Sequence, residues 1–225
     1  MIEVVIIGQN EGVSVAKMIE SIPSEWRIHY VADRCTDDTL EQLSSINNNQ
    51  HGGLIDVVAT IGKEGRQTSY CRNLGLSRCE KDSDVLFLDG DRYTVKGSLA
   101  EAIADCDKDL LLFPVDEDFR TPEMFQKAYG YVNNLFYSCG LFAKRKAIRE
   151  VQVRQDGQFF NEELQGVWGI EDTSLGDLCY SLRLTAKLTD KAVLRGGFEK
   201  KEVDEWSTIL KRFEYRNKLK YVRWA

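Results

Sequence analysis

Val85-Leu86-Phe87-Leu88-Asp89-Gly90-Asp91 is an apolar run that stops at two carboxylates separated by one glycine. A run of this length reads as a buried strand, so both acids leave the core where the strand ends. In open α/β sheets, ligands bind beyond the carboxyl ends of the strands. Two carboxylates held close together repel each other unless a cation or a donor-rich ligand lies between them. Oxygen ligands at flexible spacing suit Mg²⁺ or Mn²⁺, ions commonly shared with substrate phosphates. Asp-Gly is also a frequent turn dipeptide, and alone the pair reads as a turn. An EF-hand loop is excluded, because Thr94 and Ala100 stand where its glycine and glutamate must be.

Around this run, strand-like segments recur at Ile2–Gly8, Arg27–Ala32, Ile55–Ala59 and Leu110–Val115. Helix-like segments fall between them at Val13–Ile22, Asp37–Ile46 and Gln67–Cys79, with Ser98–Asp105 before the Leu110 strand. Alternating β and α with short connections predicts a mostly parallel sheet with helices on both faces. Asp37 or Asp38 is the expected N-cap of the second helix. The second half is less regular: a strand is predicted over Tyr137–Lys144 and helices over Glu171–Leu184 and Val203–Leu219.

The chain has 225 residues, 43% of them hydrophobic and 29% charged, which suits one sizeable soluble domain. Six scattered cysteines without a C-x-x-C pair, and only two histidines, argue for free thiols in a reducing compartment and against a zinc site. No apolar stretch has the length of a membrane span, and no basic leader precedes the first strand; a cytoplasmic protein is expected. The net charge of −6 is unevenly spread: residues 195–225 hold nine Lys or Arg against five Asp or Glu, or +4, leaving −10 for residues 1–194. The division expected is a catalytic domain over 1–194 and a basic helical extension over 195–225. Basic residues interleaved with aromatics in that extension are compatible with a membrane surface or nucleic acid as partner.

The usual nucleotide motifs are absent: there is neither a Walker phosphate loop nor a G-x-G-x-x-G after the first strand. A different set is present. Val4-Val5-Ile6-Ile7-Gly8-Gln9-Asn10-Glu11, Val31-Ala32-Asp33-Arg34-Cys35-Thr36-Asp37-Asp38-Thr39, Cys71-Arg72-Asn73-Leu74-Gly75 and Asp89-Gly90-Asp91 follow one another in order. Trp168-Gly169-Ile170-Glu171-Asp172 comes later. In order and spacing these resemble the blocks of family 2 glycosyltransferases, which have the GT-A fold. The last block also resembles the Trp-Gly-x-Glu-Asp of the β-1,4-galactosyltransferase family.

That resemblance implies an α/β GT-A fold and a metal-dependent, inverting transfer of sugar from a nucleotide-diphosphate sugar, a UDP-sugar above others, to an acceptor hydroxyl. It implies Gln9, Asn10, Glu11, Asp33, Arg72 and Asp89 as donor-binding residues. Asp91 and Asp89 are implied as ligands of Mn²⁺ or Mg²⁺, Asp172 with Glu171 as the catalytic acids, and Trp168 as an acceptor contact. Asp33 is suited to accept an N–H from the base, and Asp172 to take the acceptor's proton. The residues themselves leave alternatives open. Arg72 can equally form an internal ion pair with an acid such as Asp33, and Glu171 and Asp172 can simply favour a helix N-terminus. Ala32 and Arg34-Cys35 depart from the second block, and no histidine follows the Glu-Asp block as a further metal ligand. A lipid-linked glycan or hydroxylated DNA is the acceptor class compatible with the basic extension. The competing reading is a nucleic-acid- or membrane-binding module acting through that extension.

Overall fold

The computed structural model describes residues 1–49, 53–60, 67–115, 121–129, 136–164 and 170–195. A seven-stranded sheet forms the centre. In chain order its strands are β1 (Ile2–Gly8), β2 (Arg27–Asp33), β3 (Ile55–Thr60), β4 (Asp84–Asp89), β6 (Leu110–Leu112), β7 (Gly140–Ala143) and β8 (Ala186–Leu188). Across the sheet they run β3-β2-β1-β4-β7-β6-β8. All pairings are parallel except those of β7, which runs against β4 and β6. A separate antiparallel pair joins β5 (Tyr93–Gly97) to β9 (Ala192–Arg195). The helices are α1 (Val15–Glu20), α2 (Thr39–Asn49), α3 (Thr68–Arg78), α4 (Leu99–Ala104), α5 (Pro122–Ala128), α6 (Arg145–Arg154) and α7 (Ile170–Ser181).

The central strands are apolar on both faces because helices cover both. Val4, Ile6, Ile28, Tyr30, Leu86 and Leu88 point into one core with Met18, Ile19 and Leu99. Val5, Val85, Phe87 and Leu141 point into the other with Leu76, Ile148, Phe159 and Phe160. This is the doubly covered pattern that continuous apolar runs signal. Gly75 decides how close α3 lies: a Cβ there would come within 2.4 Å of Val5 Cγ1. The glycine of the Arg-Asn-Leu-Gly stretch thus presses α3 onto β1 and fixes the height of Arg72, one turn earlier.

Several expected elements are found with shifted ends. The Leu110 strand stops at Leu112, the Tyr137 strand is confined to Gly140–Ala143, and the late helix ends at Ser181. Strands β5, β8 and β9 and helices α5 and α6 were not expected. Helix α5 has a readable start, since Thr121 accepts from Met124 N at 3.2 Å and Pro122 occupies the first turn. The helix expected over Val203–Leu219 lies outside the described residues, as does nearly all of the 195–225 extension. No helix among the described residues is long and apolar enough to cross a membrane.

A buried polar network ties the far edge of β1 and β2 to the end of α3. His29 Nε2 lies 2.6 Å from Glu3 Oε2, and its Nδ1 lies 3.4 Å from Asp56 Oδ2, which Arg78 Nε contacts at 3.0 Å. Glu3 Oε1 also accepts the Glu80 N–H at 2.8 Å. Glu3, His29 and Cys79 hold their ligand-type atoms within 4.8 Å of one another. Burial pushes the Cys79 thiol up to about 12, so it keeps its proton, which it donates to Gly75 O at 3.6 Å. Burial alone would raise Glu3, but His29, Ser83 and the Glu80 amide outweigh it and hold its carboxyl below 4.5. A carboxyl depressed in the folded state stabilises it above the unfolded pKa, and that contribution is lost as pH falls through the folded value. Glu3→Gln should cost about 3 kcal/mol at pH 7, the lower end for breaking a buried pair. In urea melts across pH, the gap to wild type should close below the ordinary carboxylate pKa.

Candidate functional site

The sheet reverses its order of filling at β1: the chain moves outward to β2 and β3, then returns to β4 on the other side. The loops after β1 and β4 therefore diverge, leaving a crevice at their carboxyl ends. The floor of this crevice is tightly closed. Gly90 N donates to Ile7 O at 2.7 Å, and a Cβ on Gly90 would lie 3.1 Å from Gly8 Cα and 2.9 Å from Tyr30 Oη. A Cβ on Gly8 would meet the same hydroxyl at 2.1 Å. The glycine between Asp89 and Asp91 is thus required by close packing, and it sets both acids at the crevice rim.

The loops after β1 and β2 are bolted together by backbone N–H groups donating to side-chain oxygens. Asn10, at φ 59°, accepts the Thr36 N–H on Oδ1 at 2.7 Å. Glu11 N donates to Thr39 Oγ1 at 2.9 Å, and Gly12 N to Asp37 Oδ2 at 2.9 Å. Asp37, rather than Asp38, accepts from Thr39 N (3.1 Å) at the start of α2. Asn10 and Glu11, expected on the donor, are therefore used at least in part to build the crevice wall, while Gln9 is exposed on its rim. Asp33 ends β2 and is gripped by Arg34 through two bonds, Nε to Oδ1 at 2.8 Å and Nη2 to Oδ2 at 2.9 Å. Thr60 at the end of β3 adds a third at 2.9 Å. Arg34 sits at φ 51°, an uncommon backbone conformation for a residue with a side chain.

Arg72 does not pair with Asp33. Its Nη2 donates to Asp89 Oδ1 at 2.7 Å, and its Nη1 lies 3.9 Å from Asp172 Oδ1. The guanidinium is buried, with its carbon 5.3 Å from the centre of the Phe160 ring. Asn73 fixes that ring's segment, accepting from Phe159 N and Phe160 N at 3.2 and 3.0 Å and donating to Phe160 O at 2.7 Å. Burial alone would weaken the Arg72 charge, but Asp89, Asp172 and Glu171 outweigh it and raise its pKa, so it stays charged. One cation thus links the end of β4 to the start of α7.

Asp172 rests on Ser138, whose Oγ donates to Oδ1 and whose N–H points to the same oxygen at 3.3 Å. Burial raises the Asp172 carboxyl, with Arg72 and Ser138 pulling against it. Burial also pushes Glu171 up strongly, and the Asp172 charge adds to the shift. Glu171 Oε2 is buried without a hydrogen-bond partner among the described residues. Asp91 faces outward beside Arg92, whose Nε is 3.4 Å from Asp91 Oδ1. Two half-buried carboxylates suit an ion that draws its remaining oxygens from a diphosphate, the usual way Mg²⁺ and Mn²⁺ are held with substrate. Ser138, Arg92 and Phe160 were not singled out from sequence, and Trp168 lies outside the described residues.

No protein-family model and no curated protein matches the chain in sequence. Solved structures match it in fold. S. aureus TarS 1–349 in complex with UDP gives a TM-score of 0.64 at 20% identity, over 88% of this chain and 60% of that one. GalNAc-T7 with UDP, GalNAc and Mn²⁺ gives 0.68 at 15%, over 95% and 47%. The mannosyltransferase PcManGT from Pyrobaculum calidifontis, in complex with GDP-Man and Mn²⁺, gives 0.66 at 14%, over 96% and 64%. The fold is the expected GT-A arrangement. The chain spans between 47% and 64% of the length of these three relatives.

An acid whose pKa is raised by folding destabilises the folded state once pH passes its unfolded value. Glu171→Gln should therefore raise the melting temperature at pH 8 by roughly 2–4 °C, the shift that about 1 kcal/mol gives in a chain of this size. At pH 3, where Glu171 holds its proton in both states, thermal melts of the variant and wild type should coincide.

Proposed function

We propose that the chain is a metal-dependent, inverting glycosyltransferase that moves a sugar from a nucleoside-diphosphate sugar to an acceptor hydroxyl. The observation that carries this reading is the meeting of Asp33, Asp89, Asp91 and Asp172 at one end of the sheet, with Arg72 bridging two of them. Fold neighbours that hold UDP or GDP-Man, two of them with Mn²⁺, support it.

In this reading Asp33, at the end of β2, accepts an N–H from the base. The ends of β2 and β4 are two strand spacings apart, about 10 Å, a separation that a nucleoside bridges between its base and its 5′ phosphates. Asp91 and Asp89 hold Mn²⁺ or Mg²⁺, which when bound spreads the charge on the departing diphosphate. Arg92 adds a fixed positive charge beside Asp91. Asp172 takes the proton of the acceptor hydroxyl as its oxygen bonds to the anomeric carbon and the bond from that carbon to the diphosphate breaks. Arg72 stabilises the Asp172 carboxylate and holds Asp89 in place through its Oδ1. Burial, with the Asp172 charge added, raises Glu171 to about 7, so below that pH it puts no second negative charge beside the base. A UDP-sugar is the favoured donor.

A thermal-shift panel of UDP-, GDP-, CDP- and ADP-sugars, each with and without Mn²⁺, tests the reading. At a hundredfold excess over Kd, binding adds about 2.7 kcal/mol. At least one nucleotide sugar should stabilise the protein only when Mn²⁺ is present, and Asp91→Asn should abolish that metal-dependent part. No stabilisation by any of them would contradict the proposal.

A further inference from the structure

We infer that Ser138 is a positioning residue that fixes which oxygen of Asp172 receives the acceptor's proton. The inference rests on the reading of Asp172 as general base. Two hydrogen bonds from one residue converge on one carboxylate oxygen, Ser138 Oγ and Ser138 N (3.3 Å) both donating to Oδ1, and the Arg72 guanidinium stands on the same side with Nη1 3.9 Å away. None of the hydrogen bonds or ion pairs among the described residues involves Oδ2. Oδ1 is occupied by positive and donor groups, which lower its basicity, while Oδ2 keeps its lone pairs. A carboxylate able to turn about its last bond would exchange the two oxygens. With both Ser138 donors on one of them and the Arg72 charge beside it, that rotation would break a buried hydrogen bond and move the charge away from Arg72.

The fold explains why Ser138 can do this and why sequence did not show it. Strand β7 is the one strand of the central sheet antiparallel to its neighbours, so its beginning lies beside the end of β4. Gly140 pairs with Leu88 and also accepts Phe113 N–H at 2.9 Å, from the β6 side. Two residues before Gly140, Ser138 therefore stands at the same sheet end as Asp89 and opposite the first turn of α7. It is fully buried, in the turn that leads directly into the paired strand β7. Catalytic groups held from rigid elements keep the tight geometry that transfer demands. A serine has a single O–H to give, and Ser138 places it on Asp172. The acceptor hydroxyl must then approach from the Oδ2 side of Asp172.

The test uses the nucleotide sugar that most stabilises the protein with Mn²⁺, with water as acceptor and UDP or GDP release as the readout. Ser138→Ala, Ser138→Thr and Asp172→Asn are compared with wild type, each checked by thermal melting. Ser138→Ala is expected to lower kcat about 10- to 100-fold, since a misplacement of about 1 Å costs up to a hundredfold. The donor KM should stay within threefold, because the donor contacts are untouched. Ser138→Thr, which keeps the hydroxyl, should recover most of the loss. A folded Ser138→Ala with wild-type kcat, or one whose loss lies wholly in KM, overturns the inference. If Asp172→Asn itself keeps wild-type kcat, the base assignment fails instead, and the two failures are thereby told apart.

Discussion

The site depends on one buried cation. Arg72 stands between the strand that carries Asp89 and the helix that begins with Glu171 and Asp172, and it neutralises acids from both. Without it, Asp89, Glu171 and Asp172 would leave three carboxyl groups crowded in a low-dielectric crevice. Breaking a buried pair of this kind by removing one partner costs about 3–5 kcal/mol, so the arginine is structural as well as electrostatic. Its position follows from two small features. Gly75 allows α3 to press against Val5, and Asn73 holds the segment that carries Phe160 against the guanidinium.

A second constraint is the switch in strand order at β1. It opens the crevice, and three acids line it in the sequence Asp33, Asp89, Asp91 because their strands end there. Gly8 and Gly90 close its floor around the Tyr30 hydroxyl, which leaves no room for a Cβ at either position. The same compactness explains the spacing of Asp89 and Asp91: one residue without a side chain turns the chain, and each acid leaves on its own side. Antiparallel β7 then brings Ser138 from the far half of the chain to this edge, which a wholly parallel sheet would not do.

Much of this was legible in the chain itself. Strands β1, β2 and β4 are buried on both faces and therefore read as largely apolar runs, and the acids that end β2 and β4 announce the crevice. The order of the Asp33, Arg72, Asp89 and Asp172 blocks pointed to GT-A, and the fold agrees. What was not legible depends on pairings distant in sequence. The partner of Arg72 is Asp89 and not Asp33, because α3 sits over β1 while Asp33 is taken by Arg34 and Thr60. Ser138 fell within the strand expected over Tyr137–Lys144 but in no motif, and only the antiparallel course of β7 brings it to the site. Strands β5 and β9 pair with each other across nearly a hundred residues, a contact that neither short segment reveals alone. Asn10 looked like a ligand residue, and its position after β1 is explained by its bond to the next loop.

The most direct measurement is a crystal structure of the protein with Mn²⁺ and the nucleoside diphosphate that stabilises it, with diffraction collected at the manganese edge. The account predicts an anomalous peak on Asp91 and the diphosphate, the base against Asp33, and Arg72 still between Asp89 and Asp172. A manganese peak elsewhere, such as at Glu3 and His29, or a nucleotide bound away from the ends of β2 and β4, would contradict it.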